Sequence, residues 1–189
     1  MRLLRPLFAA LDAIKAPRML ELVWRLLVRT SRLTGAEITT AASVLGQNSI
    51  RYEAVRIANG GVLGFAFKLN GGRAFTLFHT LNLPGSGNHS RENLSLLVHE
   101  LVHVYQFETV GIRYIPEALL AQRREGYDYG SWQALVEARG RGEGLDTFNR
   151  EQQAQIAQDY YRWVVEPQRE DAVRDAYEPY IEDLRRGAL

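Results

Sequence analysis

His99, Glu100 and His103 stand in the order His-Glu-x-x-His within the run LVHELVHVYQ over residues 97–106. Residues four apart share one face of a helix, with about 5–6 Å between their Cβ atoms, so both imidazoles can reach one ion. Glu100 is rotated a quarter turn from them, where a carboxylate touches a water on that ion without becoming a ligand. Five residues thus carry two neutral nitrogen ligands and a general base, the parts that metal-assisted hydrolysis needs.

Two histidines do not complete such a site, which takes three protein ligands and keeps a further position open. The chain has no cysteine, and no His follows His103. Thr109 stands where the longer pattern H-E-x-x-H-x-x-G-x-x-H would place its last ligand. A Glu is therefore expected as the third ligand, and three are candidates. Glu117 follows Pro116 after a short span, and Glu137 lies in a Gly-rich stretch. Glu151 lies in the first turns of a helical run ending near Val165. A ligand on a rigid helix is better positioned than one on a loop. Ala154, one turn on, lets that helix approach the first closely, so Glu151 is preferred.

The elements that must position these residues follow from periodicity. Ser90 reads as the N-cap of a helix from Arg91, with Leu94, Leu97, Val98, Leu101, Val102 and Tyr105 as its apolar stripe and Gly111 at its end. Upstream, helices are expected over 18–33 and from Ile38 to Leu45, the second capped by Gly46. A short strand is expected around Ile50–Ile57. Val62–Leu69 and Arg73–Leu83 flank Asn70-Gly71-Gly72, a hairpin signal. In the second of these, Phe75, Leu77, His79, Leu81 and Leu83 alternate onto one face. Downstream come a short helix over Glu117–Arg124, a helical turn at Trp132–Ala138, a long helix from Thr147 to Val165 and a charged, mostly helical tail.

The 189 residues suit one domain with a substantial core, and 46% are apolar. The net charge of +1 is too small to argue by itself for nucleic acid or for an anionic membrane. Residues 1–34, however, carry seven basic groups against Asp12 and Glu21, a net of +5. They are expected to form a basic helical extension with a solvated charged face, ahead of a main domain over 35–189. A membrane-surface or partner-docking helix is the alternative. No apolar run is long enough for a spanning helix, and Pro6, Asp12 and Lys15 interrupt the opening stretch. A cytoplasmic protein without a conventional export signal is expected. His79 reads as a core or edge residue and His89 as exposed. Tyr127, Tyr129, Tyr160 and Tyr161 are candidates for stabilising an oxyanion.

Hairpin, strand, loop, H-E-x-x-H helix and Glu-bearing helix together look like a zincin-like metallopeptidase, an α+β fold with a small sheet packed on the active-site helix. LVHELVHVYQ resembles the H-E-L-x-H-V-x-Q helix of the Vgr-related metallopeptidase domain found with bacterial contractile-injection and type VI secretion genes. Residues 35–57 resemble the segment preceding that motif, and the likeness covers residues 35–165. The resemblance implies zinc as cofactor, a peptide or protein as substrate, Glu100 as general base and His99, His103 and Glu151 as ligands. It also implies export through a secretion apparatus, or service there as a metal-binding adaptor or cargo that turns nothing over. In many such proteins the third ligand opens an E-x-x-A-D motif. Glu151 and Ala154 match it; Gln155 replaces the Asp, and Asp159 is the carboxylate one turn further on that could support a histidine in its place.

Overall fold

The computed structural model describes residues 5–13, 15–59, 63, 67, 72–85, 87, 90–124 and 126–189. Within them the chain is α+β. Helices α1 (Arg5–Ala13) and α2 (Ala16–Leu27) lead into strand β1 (Arg29–Ser31) and helix α3 (Gly35–Leu45). Strands β2 (Arg56–Asn59), β3 (Phe75–Leu77) and β4 (Thr80–Asn82) follow. Then come α4 (Leu94–Val110), α5 (Tyr114–Arg124), α6 (Trp132–Gly140), α7 (Arg150–Tyr160) and α8 (Ala172–Arg185). No helix among the described residues is long and apolar enough to cross a membrane.

The four strands form one mixed sheet in the order β1-β2-β4-β3. Pairing is antiparallel for β1/β2 and β3/β4 and parallel for β2/β4, which leaves β3 as an edge. That edge packs against α4, and α4 packs in turn against α7. Ala154 and Ala157 are fully buried on α7, so small side chains let the two helices approach, as the spacing around Glu151 predicts. The main core continues through Leu97, Leu101, Leu135, Ile156 and Tyr180.

Helix boundaries follow local chemistry. Thr34 and Glu37 form a reciprocal capping box at the start of α3, and Gly46 closes that helix with φ 102°. The α4 helix starts three residues later than the sequence implies. Asn93, not Ser90, is its cap, and its side-chain oxygen accepts from Leu96 N at 3.1 Å. Pro116 falls in the first turn of α5. The long helix expected over 147–165 is α7 followed by a π-helical turn at Tyr161–Val165.

Three expectations are corrected. The helix expected over 18–33 ends at Leu27, and Arg29–Ser31 turns into β1, pairing with β2. The single strand expected over Arg73–Leu83 reverses at Phe78-His79 into the β3/β4 hairpin, with Leu77 opposite Thr80. Phe78 holds φ 58°, which costs a non-glycine residue conformational energy unless its surroundings hold it. They do: Phe78 N donates to Tyr114 Oη at 3.3 Å, His79 N to Glu21 Oε1 at 2.9 Å, and Arg56 N to His79 O at 2.9 Å. Finally, Leu63 and Phe67 are helical, not extended. The rest of the expected strand Val62–Leu69, together with Asn70, Gly71 and His89, lies outside the described residues.

His79 is buried, as expected, and it anchors a charged cluster. Its Nε2 meets Glu108 Oε1 at 2.8 Å and its Nδ1 faces Glu21 Oε2 at 3.4 Å, with Arg51 and Arg25 beside the two carboxylates. Burial opposes charge on the imidazole, but the hydrogen bonds to Glu108 and Glu21 outweigh it and raise its pKa. Burial likewise opposes ionisation of Glu21 and Glu108, yet His79 and the arginines hold both below the ordinary carboxylate range. The stability due to His79 is therefore complete below its unfolded pKa of about 6.5 and is lost as pH rises through the folded value. The share from Glu21 and Glu108 is lost only as pH falls through their depressed values. The wild type should thus lose more stability between pH 6 and pH 9 than His79→Gln does, read as urea midpoints. Parallel losses in the two proteins would refute the assignment.

Candidate metal centre

His99 and His103 project from one face of α4 toward Glu151 on α7. Glu151 Oε2 lies 3.4 Å from His99 Nε2 and 3.5 Å from His103 Nε2, and all three side chains are buried. Suitable ligand atoms of the three lie within 4.8 Å of one another, so the group could hold a metal ion. Local sequence fixes Glu151 there. Asn149 caps α7, its Oδ1 accepting from Glu151 N and Gln152 N, both at 2.9 Å, which sets the carboxylate in the first turn facing α4.

The distances test whether these residues fit a metal. A charge-assisted hydrogen bond between imidazolium and carboxylate would run about 2.7–2.9 Å. Two ligands about 2.0–2.2 Å from a tetrahedral ion stand about 3.3–3.6 Å apart, because their separation is 1.6 times the bond length. The observed values fall in the second range. Among the described residues Glu151 Oε2 also makes no hydrogen bond of ordinary geometry, a costly state for a buried carboxylate oxygen unless a cation satisfies it. The residues fit.

Outer contacts orient one histidine. His103 Nδ1 lies 2.9 Å from Gln106 Oε1, while Gln106 Nε2 donates to Arg150 O at 3.0 Å and to Gln153 Oε1 at 3.1 Å. The amide nitrogen is committed to those acceptors, so the oxygen faces the ring and Nδ1 carries the proton. The Nε2 lone pair is thereby presented to the site. Gln106→Leu should weaken metal affinity by about 10–100-fold in a chelator competition; unchanged affinity would show that Gln106 merely fills space. His99 Nδ1 has no such partner among the described residues. Asp159 instead accepts from Tyr129 Oη at 2.8 Å and from Gln155 Nε2 at 3.0 Å, so it does not back a histidine.

Charge at the site is shared. Burial penalises the Glu151 carboxylate, but His103 and His99 more than offset it and hold its pKa well below normal. Burial opposes the His103 cation, and Glu151, then Glu100, reverse that and raise it.

The other candidate ligands are elsewhere. Glu117 Oε2 accepts from Arg150 Nε at 2.8 Å, and Glu137 is exposed on α6. Glu100 is buried beside His99, and Thr76 Oγ1 on the edge strand donates to its Oε2 at 2.7 Å and to its main-chain oxygen at 3.1 Å. Of the four tyrosines, Tyr127 comes nearest, its ring 5.7 Å from that of His99. Tyr129 and Tyr160 spend their hydroxyls on Asp159 and Glu178. Tyr161 borders a cleft one helical turn beyond Gln158.

Two clefts meet at the site, sharing Ala74, His99, Glu100 and Tyr127. One, of about 350 Å³, is walled by Phe75, Leu77, Tyr114, Ile115 and Leu119 and is mainly apolar. The other, of about 710 Å³, is polar, with Glu92, Gln155, Gln158, Arg162 and Glu166. Gln106 closes the H-E-L-x-H-V-x-Q pattern three residues after His103, but its role as partner of that histidine was not assigned from sequence; Thr76 and Tyr114 carry no local signal. No family model, curated protein or solved structure matches the chain.

Proposed function

We propose that this chain is a zinc-dependent peptidase of the zincin kind. The observation that carries the reading is the convergence of two imidazole nitrogens and one carboxylate oxygen, with Glu100 adjacent, at the junction of two clefts bordered by a strand edge. Two His and one Glu, with no cysteine in the chain, form a donor set of the catalytic kind, not the closed set of a structural zinc site. Zinc held by His99, His103 and Glu151 supplies Lewis acidity, which polarises a carbonyl and makes water acidic enough to ionise near neutral pH.

The chain's own residues supply the rest. Thr76 occupies Glu100 Oε2, leaving Oε1 to take a proton from the attacking water and hand it to the departing amine. Tyr127 accepts a hydrogen bond from Gln122 Nε2 at 2.7 Å, which leaves its own O–H to donate toward a developing oxyanion. Burial, and then the Glu151 charge, push the Tyr127 hydroxyl up to about 12, so it remains a neutral donor at physiological pH. Strand β3 offers an edge to which an extended peptide can pair, beside the apolar cleft that Phe75, Thr76 and Leu77 line.

The test is digestion of a library of unfolded peptides by the zinc-loaded protein, with a chelated sample alongside. Cleavage that disappears on chelation and returns with zinc is expected. A zinc-loaded protein that cleaves nothing would leave a metal-binding adaptor, as the resemblance to injection-system proteins also allows.

A further inference from the structure

Helix α2 is built inside out. Met19, Leu20, Leu22, Val23, Leu26 and Leu27 are all more than half exposed, from 52% at Leu27 to 78% at Leu26. At 100° per residue they fill one continuous arc of about 160°. The opposite arc carries Glu21, Trp24 and Arg25, and it is this polar face that meets the protein. Glu21 Oε1 accepts from His79 N and Thr80 Oγ1, both at 2.9 Å. Arg25 donates to Thr80 Oγ1 at 2.9 Å and to Ala54 O at 3.0 Å. Trp24 Nε1 donates to Asn82 Oδ1 at 2.9 Å. Rolling the helix to bury its leucines would strip these partners from Glu21, which is itself buried, so the apolar face is held outward.

Within residues 15–32 the exposed charges are all basic. Lys15 and Arg18 at one end of α2, and Arg29 and Arg32 just past the other, are exposed. The helix's sole acidic residue, Glu21, is buried and paired. Arg56 belongs to the same field: beyond the effect of its burial, the charges of Arg25 and Arg32 lower its pKa.

We propose that α2 is an interfacial helix that seats its outward apolar face in an anionic lipid surface, with Lys15, Arg18, Arg29 and Arg32 on the headgroups. An apolar face flanked by cations on a helix lying in the interface plane is the arrangement that binds such surfaces. Twelve residues make a helix roughly 18 Å long, too short to span a bilayer but long enough to lie on it. A second copy of the chain is a poorer occupant. A face about 18 Å by 10 Å projects on the order of 200 Å², far short of the roughly 800 Å² each partner buries in a stable dimer. The inference is independent of the peptidase reading, since α2 contributes nothing to the metal centre.

Sedimentation of the full chain with vesicles tests it. Vesicles of 30:70 phosphatidylglycerol and phosphatidylcholine should carry the protein down, and phosphatidylcholine alone should do so far less. The double substitution Leu22→Glu, Leu26→Glu alters only exposed side chains and should lower binding more than tenfold, on the order expected for replacing two inserted leucines by charges, while metal content is unchanged. Arg18→Glu with Arg29→Glu should lower it by at least roughly fivefold per cation, the equivalent of about 1 kcal/mol each. Failure of the wild type to bind anionic vesicles at low salt would overturn the proposal. So would binding that survives the leucine substitutions. A dimer that the same substitutions dissociate would assign the face to a second copy and overturn it too.

Discussion

Glu151→Gln should strip the protein of its metal. The substitution keeps the size of the side chain and the Asn149 cap on α7, whose acceptor serves the Glu151 main-chain N–H. It removes the negative charge that, among the described residues, lies within 3.5 Å of both histidine Nε2 atoms. An amide oxygen sets no charge against a dication, so the loss in affinity should exceed the roughly 10–100-fold expected when an outer hydrogen-bond partner is removed. Chelator competition with purified protein reads the change directly. Glu117→Gln and Glu137→Gln are the controls and should bind metal as the wild type does, because Glu117 serves Arg150 and Glu137 faces solvent. The opposite pattern would move the third ligand and with it the geometry of the cleft.

Glu100→Gln should have the reverse signature, with metal retained and peptide hydrolysis lost. Glu100 is not among the residues whose ligand atoms converge, so its replacement leaves the donor set whole. Thr76 Oγ1 can donate to the amide oxygen as it does to the carboxylate at 2.7 Å, which preserves the local geometry. What disappears is the base, and general acid–base catalysis accounts for about 10²–10⁴ in rate. A fall of that size in kcat/KM at full metal occupancy assigns proton transfer to Glu100. A variant that turns over at the wild-type rate would remove Glu100 from the mechanism. Measuring both variants together separates binding from catalysis, since each should fail one assay and pass the other.

The centre was legible in the sequence because its geometry is carried by helices. A spacing of four on α4 puts His99 and His103 on one face wherever the helix starts, so misplacing its cap from Asn93 to Ser90 changed nothing at the site. Glu151 could be chosen over Glu117 and Glu137 because an early helical position beside small residues favours close approach. The parts that stayed hidden are held by tertiary contacts. The Phe78-His79 reversal contains none of the glycine, asparagine or proline that marks a turn. Glu21, Arg56 and Tyr114, all far away in sequence, hold it. The alternation of Phe75, Leu77, His79, Leu81 and Leu83 reads equally well as one strand. Helix α2 hid something else. Its expected solvated charged face holds at Lys15, Arg18, Arg29 and Arg32, which are exposed. What no local pattern announces is that the apolar stripe also faces outward, because Glu21 and Arg25 pair with His79 and Thr80 of the β3/β4 hairpin. Thr76, which steadies Glu100, comes from the strand edge and is invisible until that edge is placed against α4.

Anomalous diffraction at the zinc edge, from crystals of the zinc-loaded protein, tests the centre most directly. One strong peak is expected about 2.0–2.2 Å from His99 Nε2, His103 Nε2 and a Glu151 oxygen. Zinc bound by another carboxylate, or a protein that takes up iron and not zinc at these residues, would contradict it.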